Sequence, residues 1–319
     1  MGKGKINFSL AMDLTPRFRI DNVKNIGGGN SMQIIKLNNG VEMPQLGFGV
    51  YQIPLEKTAE AVYQAIKAGY RLIDTASVYG NEKETGEGIR RAIHEGLVTR
   101  EDLFVTSKLF ILQAPEVKAA KTIENSLRIM GLDYLDLYLI HQPYGDIYGA
   151  WRAMVAAQKS KSLRAIGISN FKAPKMIEFV GLNDVKPQIN QIEVNPWNQR
   201  SEDQKWHEKY GVQVEAWAPF AEGRHDLFTN SVLTKIGKQY GKTVGQVVLR
   251  WLMQRGIVAL AKSVHPERMA ENIDIFDFEL SKEDIEKIAA LDMKESAFFD
   301  HDAPQQVEWF MNRMLDTEK

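Results

Sequence analysis

From Gln33 onward the chain repeats one rhythm. A short β-rich apolar run stops at a polar residue, and a stretch with helical amphipathic spacing follows. The runs are "QLGFG", "RLIDTA", "LFVTSKL", "LDLYLIH", "LRAIGISN", "PQINQIEVN", "VQVEAWAP" and "IVALAKS". Between them, "TAEAVYQAIKAG", "NEKETGEGIRRAIHEG" and "APEVKAAKTIENSLRIMG" end in Gly, as a left-handed helix C-cap requires. "RSEDQKWHEKYG" and "SVLTKIGKQYGKTVGQVVLRWLMQRG" do the same before the last two runs.

Strands that alternate with helices imply a parallel sheet. Strand ends fall at Phe48, Asp74, Lys108, His141, Ser169, Glu193, Trp217 and Lys262. Most intervals suit one strand plus a crossover helix. The interval from Trp217 to Lys262 is longer and predicts an enlarged loop or a broken helix. Eight such units over about 240 residues match a closed (β/α)8 TIM barrel, which typically takes about 250. The competing α/β fold, a doubly wound open sheet, needs a Gly-rich phosphate turn after an early strand. "GFGVYQ" has only the first half of that pattern. The expected architecture is therefore a single-domain barrel over residues 32–319, with a C-terminal segment, "SAFFDHDAPQQVEWFMNRML", near its mouth. Residues 1–31 show no sustained periodicity and end in a Gly-rich hinge. They are expected to be a flexible extension or a leader, with a short docked helix as the alternative.

Composition narrows the function without naming it. The chain of 319 residues is 44% hydrophobic and 25% charged, with a formal net charge of -1, so nothing draws it electrostatically to nucleic acid or an anionic membrane. It has no cysteine, which excludes disulfides, thiolate nucleophiles, zinc ribbons and iron–sulfur clusters. The six histidines are scattered without ligand spacing, so no metal site is expected. No apolar run approaches the roughly 20 residues of a membrane helix. Asp13, Arg17 and Arg19 interrupt any signal-peptide core, and the cytoplasm is the expected compartment. No coiled-coil heptads or apolar stripe argue for assembly, so a monomer is expected.

The chemistry of such barrels sits at the C-terminal ends of the strands. Asp74 ends the second run, Tyr79 lies in the loop after it, Lys108 ends the third and His141 the fourth. Each alone has an ordinary reading: a turn carboxylate, a packed phenol, a snorkelling amine, a core imidazole. Together at one mouth they make a specific device. A phenol with a pKa of about 10 gives up its proton too reluctantly at neutral pH. A nearby ammonium lowers that value, and a carboxylate keeps the ammonium charged. Tyr79 then reads as a general acid, tuned by Lys108 and Asp74, with a neutral His141 orienting a substrate oxygen that gains negative charge.

At these residues the chain resembles the aldo-keto reductases, over essentially all of residues 33–319. The matching pieces are "GFGVYQ", "DTASVYGNE", "VTSK", "LDLYLIHQP", "IGISNF", "QIEVNP", "AWAPF" and "KSVHPERMAEN". The family's catalytic tetrad maps onto Asp74, Tyr79, Lys108 and His141. The resemblance implies reduction of aldehydes or ketones with a nicotinamide cofactor bound without a Rossmann fold. It places Ser169, Asn170 and Gln191 on the nicotinamide carboxamide. Trp217 stacks on the ring, at a position where Tyr is common.

Lys262, Ser263, Arg268, Glu271 and Asn272 form the expected phosphate and adenine end, where cations and a hydroxyl meet a helix N-terminus. Arg268 suits a 2′-phosphate, which favours NADPH. His265 and Ala261 depart from the commoner residues and leave use of NADH open. Tyr51 and Gln142 join His141 as substrate-pocket walls where Trp is common. Gln142 makes the pocket more polar, which suits small oxygenated aldehydes, dicarbonyls or sugar-derived ketones. Microbial diketogluconate and small-aldehyde reductases are the members resembled, and Phe298, Phe299 and Trp309 are the aromatic residues of the segment near the mouth. Two rival readings remain: a Lys108 Schiff-base aldolase, and an NADPH-binding regulator or sensor with little turnover.

Overall fold

The computed structural model describes residues 23–25 and 31–317. It begins with a small antiparallel sheet, in which β1 (Val23–Asn25) pairs with β2 (Ser31–Lys36), and β2 with β3 (Glu42–Pro44). Val23–Asn25 is therefore a strand; the expectation for the rest of residues 1–30 lies outside the described residues.

The barrel is built from β4 (Leu46–Gly49), β5 (Leu72–Asp74), β6 (Phe104–Leu109), β7 (Leu135–Ile140), β8 (Leu163–Ser169), β9 (Ile189–Glu193), β10 (Gln213–Trp217) and β11 (Val258–Ala261). Every neighbour pair is parallel, and the order β10-β11-β4-β5-β6-β7-β8-β9 closes on itself. The outer layer comprises α1 (Leu55–Ala68), α2 (Glu82–His94), α3 (Glu116–Met130), α4 (Ile147–Lys159), α5 (Ala173–Gly181), α6 (Ser201–Tyr210), α7 (Ser231–Tyr240), α8 (Val244–Gln254), α9 (Pro266–Ile273) and α10 (Lys282–Ala289); α11 (Pro304–Thr317) follows. The long interval after β10 holds both an enlarged loop, Ala221–Thr229, and a helix broken into α7 and α8. Asn230 caps α7 through its side chain, and Thr243 with Gln246 forms a capping box on α8, so each half starts independently.

Strand alternation explains where the polar residues go. Successive side chains of a strand point to opposite faces. Ile35, Leu37 and Met43 plug one end of the barrel against Leu72, Phe104, Leu137, Leu139, Ala165, Ile189, Val258 and Leu260. Counting on by twos from these residues leads to Asp74, Lys108, His141, Ser169 and Gln191. The interior therefore turns from apolar at the plugged end to polar at the C-terminal end. The faces turned outward pack on the helices in one large apolar layer that includes Phe48, Tyr138, Ile166, Ile192 and Trp251. Among the described residues no helix is long and apolar enough to cross a membrane.

Candidate active site

The turn after β5 carries the phenol. Ser77–Tyr79 is a single 3-10 turn, and Gly80 at φ 72° lets the chain reverse into α2 in a conformation a side chain would resist. Buried Asn81 holds the turn from below: its Oδ1 accepts from Thr75 Oγ1 at 3.0 Å and its Nδ2 donates to Val50 O at 3.0 Å. Asp74 sits in register with Thr106, and Lys108 is two residues further along the same face of β6.

Three acceptors surround the Lys108 ammonium. Nζ donates to Asp74 Oδ1 at 2.6 Å and Thr75 O at 2.8 Å, and lies 3.4 Å from the Tyr79 hydroxyl. These match its three protons. Lys108 is fully buried. Burial opposes its charge, but Asp74, with Tyr79, more than offsets this and holds its pKa above the ordinary lysine value. The lysine is therefore charged, as the sequence suggests.

The phenol differs from expectation. Burial pushes the Tyr79 pKa up to about 12, although Lys108 pulls it down; Asp74 adds to the rise. Desolvation outweighs the ammonium, so Tyr79 holds its proton firmly in the resting site. That suits a group that must arrive protonated and release its proton only when negative charge builds on a neighbouring oxygen. His141 stands edge-on to Tyr79 with ring centroids 5.6 Å apart. Burial first, then the charges of Lys108 and His301, drive its pKa well below the usual histidine value, and it is neutral. Its ring makes no hydrogen bond among the described residues, and Nδ1 is buried without a partner. The four predicted side chains do come together.

The predicted carboxamide residues lie beside one another on adjacent strands, Ser169 and Glu215 flanking Gln191 in register. Ser169 Oγ donates to Gln191 O at 2.8 Å. Asn170 Nδ2 donates to His141 O at 3.0 Å, and its Oδ1 accepts from Trp217 Nε1 at 2.8 Å. Gln191 Nε2 donates to Asp74 Oδ2 and Glu215 Oε2, each at 2.9 Å, while its Oε1 takes no hydrogen bond among the described residues. A free amide acceptor on the strand next to the one that ends in Trp217 fits a nicotinamide carboxamide. Phe298 packs against the Trp217 ring at 5.2 Å.

At the other end, Lys262 and Arg268 are exposed, and the Arg268 guanidinium has no polar partner among the described residues. Ser263 Oγ accepts from His265 N at 3.0 Å at the entrance to α9. Glu271 is partly committed, since Thr243 Oγ1 donates to its carboxylate at 2.9 Å, and Asn272 is buried against α8. A free guanidinium, an exposed ammonium and a helix start fit a phosphorylated ribose.

The pocket wall is richer than the sequence reading. Tyr51 is exposed and tilted on Tyr79 at 4.8 Å; Gln142 is buried, with Oε1 3.5 Å from Asn170 Nδ2. Phe110 faces His141 at 5.9 Å and touches Phe310 of α11 at 6.3 Å. Tyr144 packs on Phe310 and donates to His301 O. The helix phase of α11 buries Phe310 and leaves the predicted Trp309 half exposed. Glu193 clamps the segment to the barrel by accepting from Ser296 Oγ and Ala297 N. Phe110, Tyr144, His301 and Phe310 escaped sequence reasoning because long-range packing alone brings them to the mouth.

Comparison with known proteins bears on the family and the fold. The model of the Aldo/keto reductase family matches residues 44–293. Glyoxal reductase of Bacillus subtilis is 44% identical over 263 residues, 82% of this chain and 93% of that protein. Methylglyoxal reductase DkgA of Escherichia coli is 39% identical over 262 residues, 81% of this chain and 93% of that protein. Among solved structures, a Bombyx mori aldo-keto reductase in complex with NADP superposes with a TM-score of 0.80 at 36% identity, covering 84% of this chain and 95% of that one.

Proposed function

We propose, from the premise that this chain belongs to the aldo/keto reductase family and is an oxidoreductase acting on carbonyl groups, that it uses NADPH to reduce small oxygenated carbonyl compounds, dicarbonyls foremost, with Tyr79 as proton donor. The observation that carries the reading is Lys108 set between Asp74 and Tyr79 with neutral His141 beside the phenol. The names of the two bacterial relatives, glyoxal and methylglyoxal reductase, support the substrate class. A mouth that offers Gln142 and Tyr144 among Tyr51, Phe110 and Phe310 supports it too.

Gln191 Oε1, Ser169 and Asn170 would hold the carboxamide of the cofactor, and Trp217 would carry its ring. Lys262, Ser263 and Arg268, with Glu271 and Asn272 behind them, would hold the phosphates and the adenosine end. When bound, NADPH supplies the hydride. His141 donates a hydrogen bond from its neutral ring to the substrate oxygen and fixes which side of the carbonyl faces inward. As that oxygen gains charge, Tyr79 hands over its phenolic proton. The ammonium of Lys108 stabilises the phenolate left behind, and Asp74 keeps the ammonium from losing its own proton.

A Lys108 Schiff base finds no support, since a buried, charged amine tied to a carboxylate is a poor nucleophile. The reading is tested by initial rates with NADPH across small dicarbonyls and bulky hydrophobic ketones. We expect kcat/KM to favour the small dicarbonyls; the reverse order would overturn the substrate class.

A further inference from the structure

Glu215 is left without a role by this mechanism. Gln191 gives one proton of Nε2 to Asp74 Oδ2 and the other to Glu215 Oε2, each at 2.9 Å. The strands β9 and β5, which carry Gln191 and Asp74, stand on opposite walls of the barrel, as do β10 and β6, which carry Glu215 and Lys108. Gln191 thus ties two carboxyl groups together across the interior. Asp74 has the Lys108 ammonium on its other oxygen. Glu215 is fully buried, has no ion pair, and its Oε1 has no hydrogen-bond partner among the described residues. Charged groups face it from β5 and β6, Asp74 and Lys108; β9 offers Gln191, and β11, Val258–Ala261, offers only apolar side chains.

One cation between two buried carboxyl groups leaves the interior balanced only when one carboxyl is protonated. Asp74 holds the better anion site, so the proton belongs on Glu215. Burial and then the charge of Asp74 act in the same direction and push its pKa up to about 8.

We infer that Glu215 is a positioning residue of the reduction site: as a neutral acid it anchors the Gln191 amide so that Oε1 faces the cofactor, and it leaves Asp74 as the one negative charge serving Lys108. With both Nε2 protons committed, Gln191 can only present its oxygen, the acceptor a carboxamide N–H needs. Ionised Glu215 would add a second negative charge that faces Lys108, and Tyr79 would surrender its proton less readily. The inference rests on the proposed reduction.

The test uses the full chain with Glu215→Gln and Glu215→Leu, methylglyoxal as substrate, and NADPH affinity from fluorescence titration. Between pH 7 and pH 9 the parent's reduction rate is expected to fall about tenfold, as a group with its pKa near 8 would dictate. Glu215→Gln, neutral at all pH and still able to accept from Gln191, is expected to fall less than about threefold. Glu215→Leu should bind NADPH about tenfold more weakly than Glu215→Gln, because the amide loses one anchor. Superimposable pH profiles for parent and Glu215→Gln, both folded by circular dichroism, would overturn the inference; if the Leu variant does not fold, this comparison decides alone. A parent that oxidises no NADPH with any carbonyl would refute the reductase reading instead, and equal NADPH affinity in the Gln and Leu variants would then count against Glu215 independently.

Discussion

Lys108 Nζ lies 2.6 Å from Asp74 Oδ1 in an interior that excludes water from both. This ion pair is costly to assemble and more costly to break by halves, because each partner alone is an uncompensated buried charge. Lys108→Met and Asp74→Asn are each expected to destabilise the fold by about 3–5 kcal/mol, and the double variant by less than their sum. Chemical denaturation of the three proteins measures this. Additive losses would show the pair to be uncoupled.

Tyr79→Phe removes the proposed proton donor and leaves the ring in place. Reduction is expected to slow by about 10²–10⁴-fold, while NADPH affinity stays within about twofold, because among the described residues the Tyr79 side chain makes no hydrogen bond or ring contact with a proposed cofactor residue. Single-turnover rates and fluorescence titration separate the two effects. Parent-like turnover would sink the assignment.

His141 works as a neutral ring whose folded pKa lies well below its unfolded value near 6.5. The stability tied to this group is therefore present above about pH 6.5 and is lost as the pH falls below it. Activity behaves differently: kcat/KM is expected to show no inflection near pH 6.5 on the way down to pH 5.5. An inflection there that vanishes in His141→Gln would mean that the ring titrates in the free enzyme.

Arg268 is exposed and unpaired at the start of α9. Arg268→Ala should weaken NADPH by tenfold or more, about the 1.5–3 kcal/mol of a charge-assisted hydrogen bond, and leave NADH within about twofold. Equal weakening of both cofactors would place the 2′-phosphate elsewhere.

Phe310 joins the C-terminal helix to the mouth through Phe110 and Tyr144. Phe310→Ala is expected to raise KM for a small dicarbonyl by about fivefold through a looser wall, and to cost about 3–5 kcal/mol of stability. Substrate saturation curves at fixed NADPH test this. An unchanged KM would detach α11 from the substrate site.

The barrel and the meeting of Asp74, Tyr79, Lys108 and His141 at its mouth were legible because both depend on local patterns. Alternation within short strands places Asp74, Lys108 and Gln191 on the interior face, and the long interval before β11 announces α7 and α8. Glu215 was within reach of the same logic, two residues before Trp217 on one strand face, but only the closed barrel brings it against Gln191 and buries it. The Tyr79 pKa was misjudged for a related reason: charges can be counted in a sequence, whereas desolvation depends on how the folded chain excludes water. The wall made by Phe110, Tyr144 and Phe310 depends on contacts between distant segments, which no local pattern encodes.

The central claim, reduction of small dicarbonyls at the expense of NADPH, is tested most directly by following NADPH absorbance after adding methylglyoxal, beside an identical reaction with NADH. We expect a fast decline that requires the dicarbonyl and is slower with NADH. Flat absorbance with the enzyme folded and NADPH bound by fluorescence would contradict the account and favour a cofactor-binding regulator in its place.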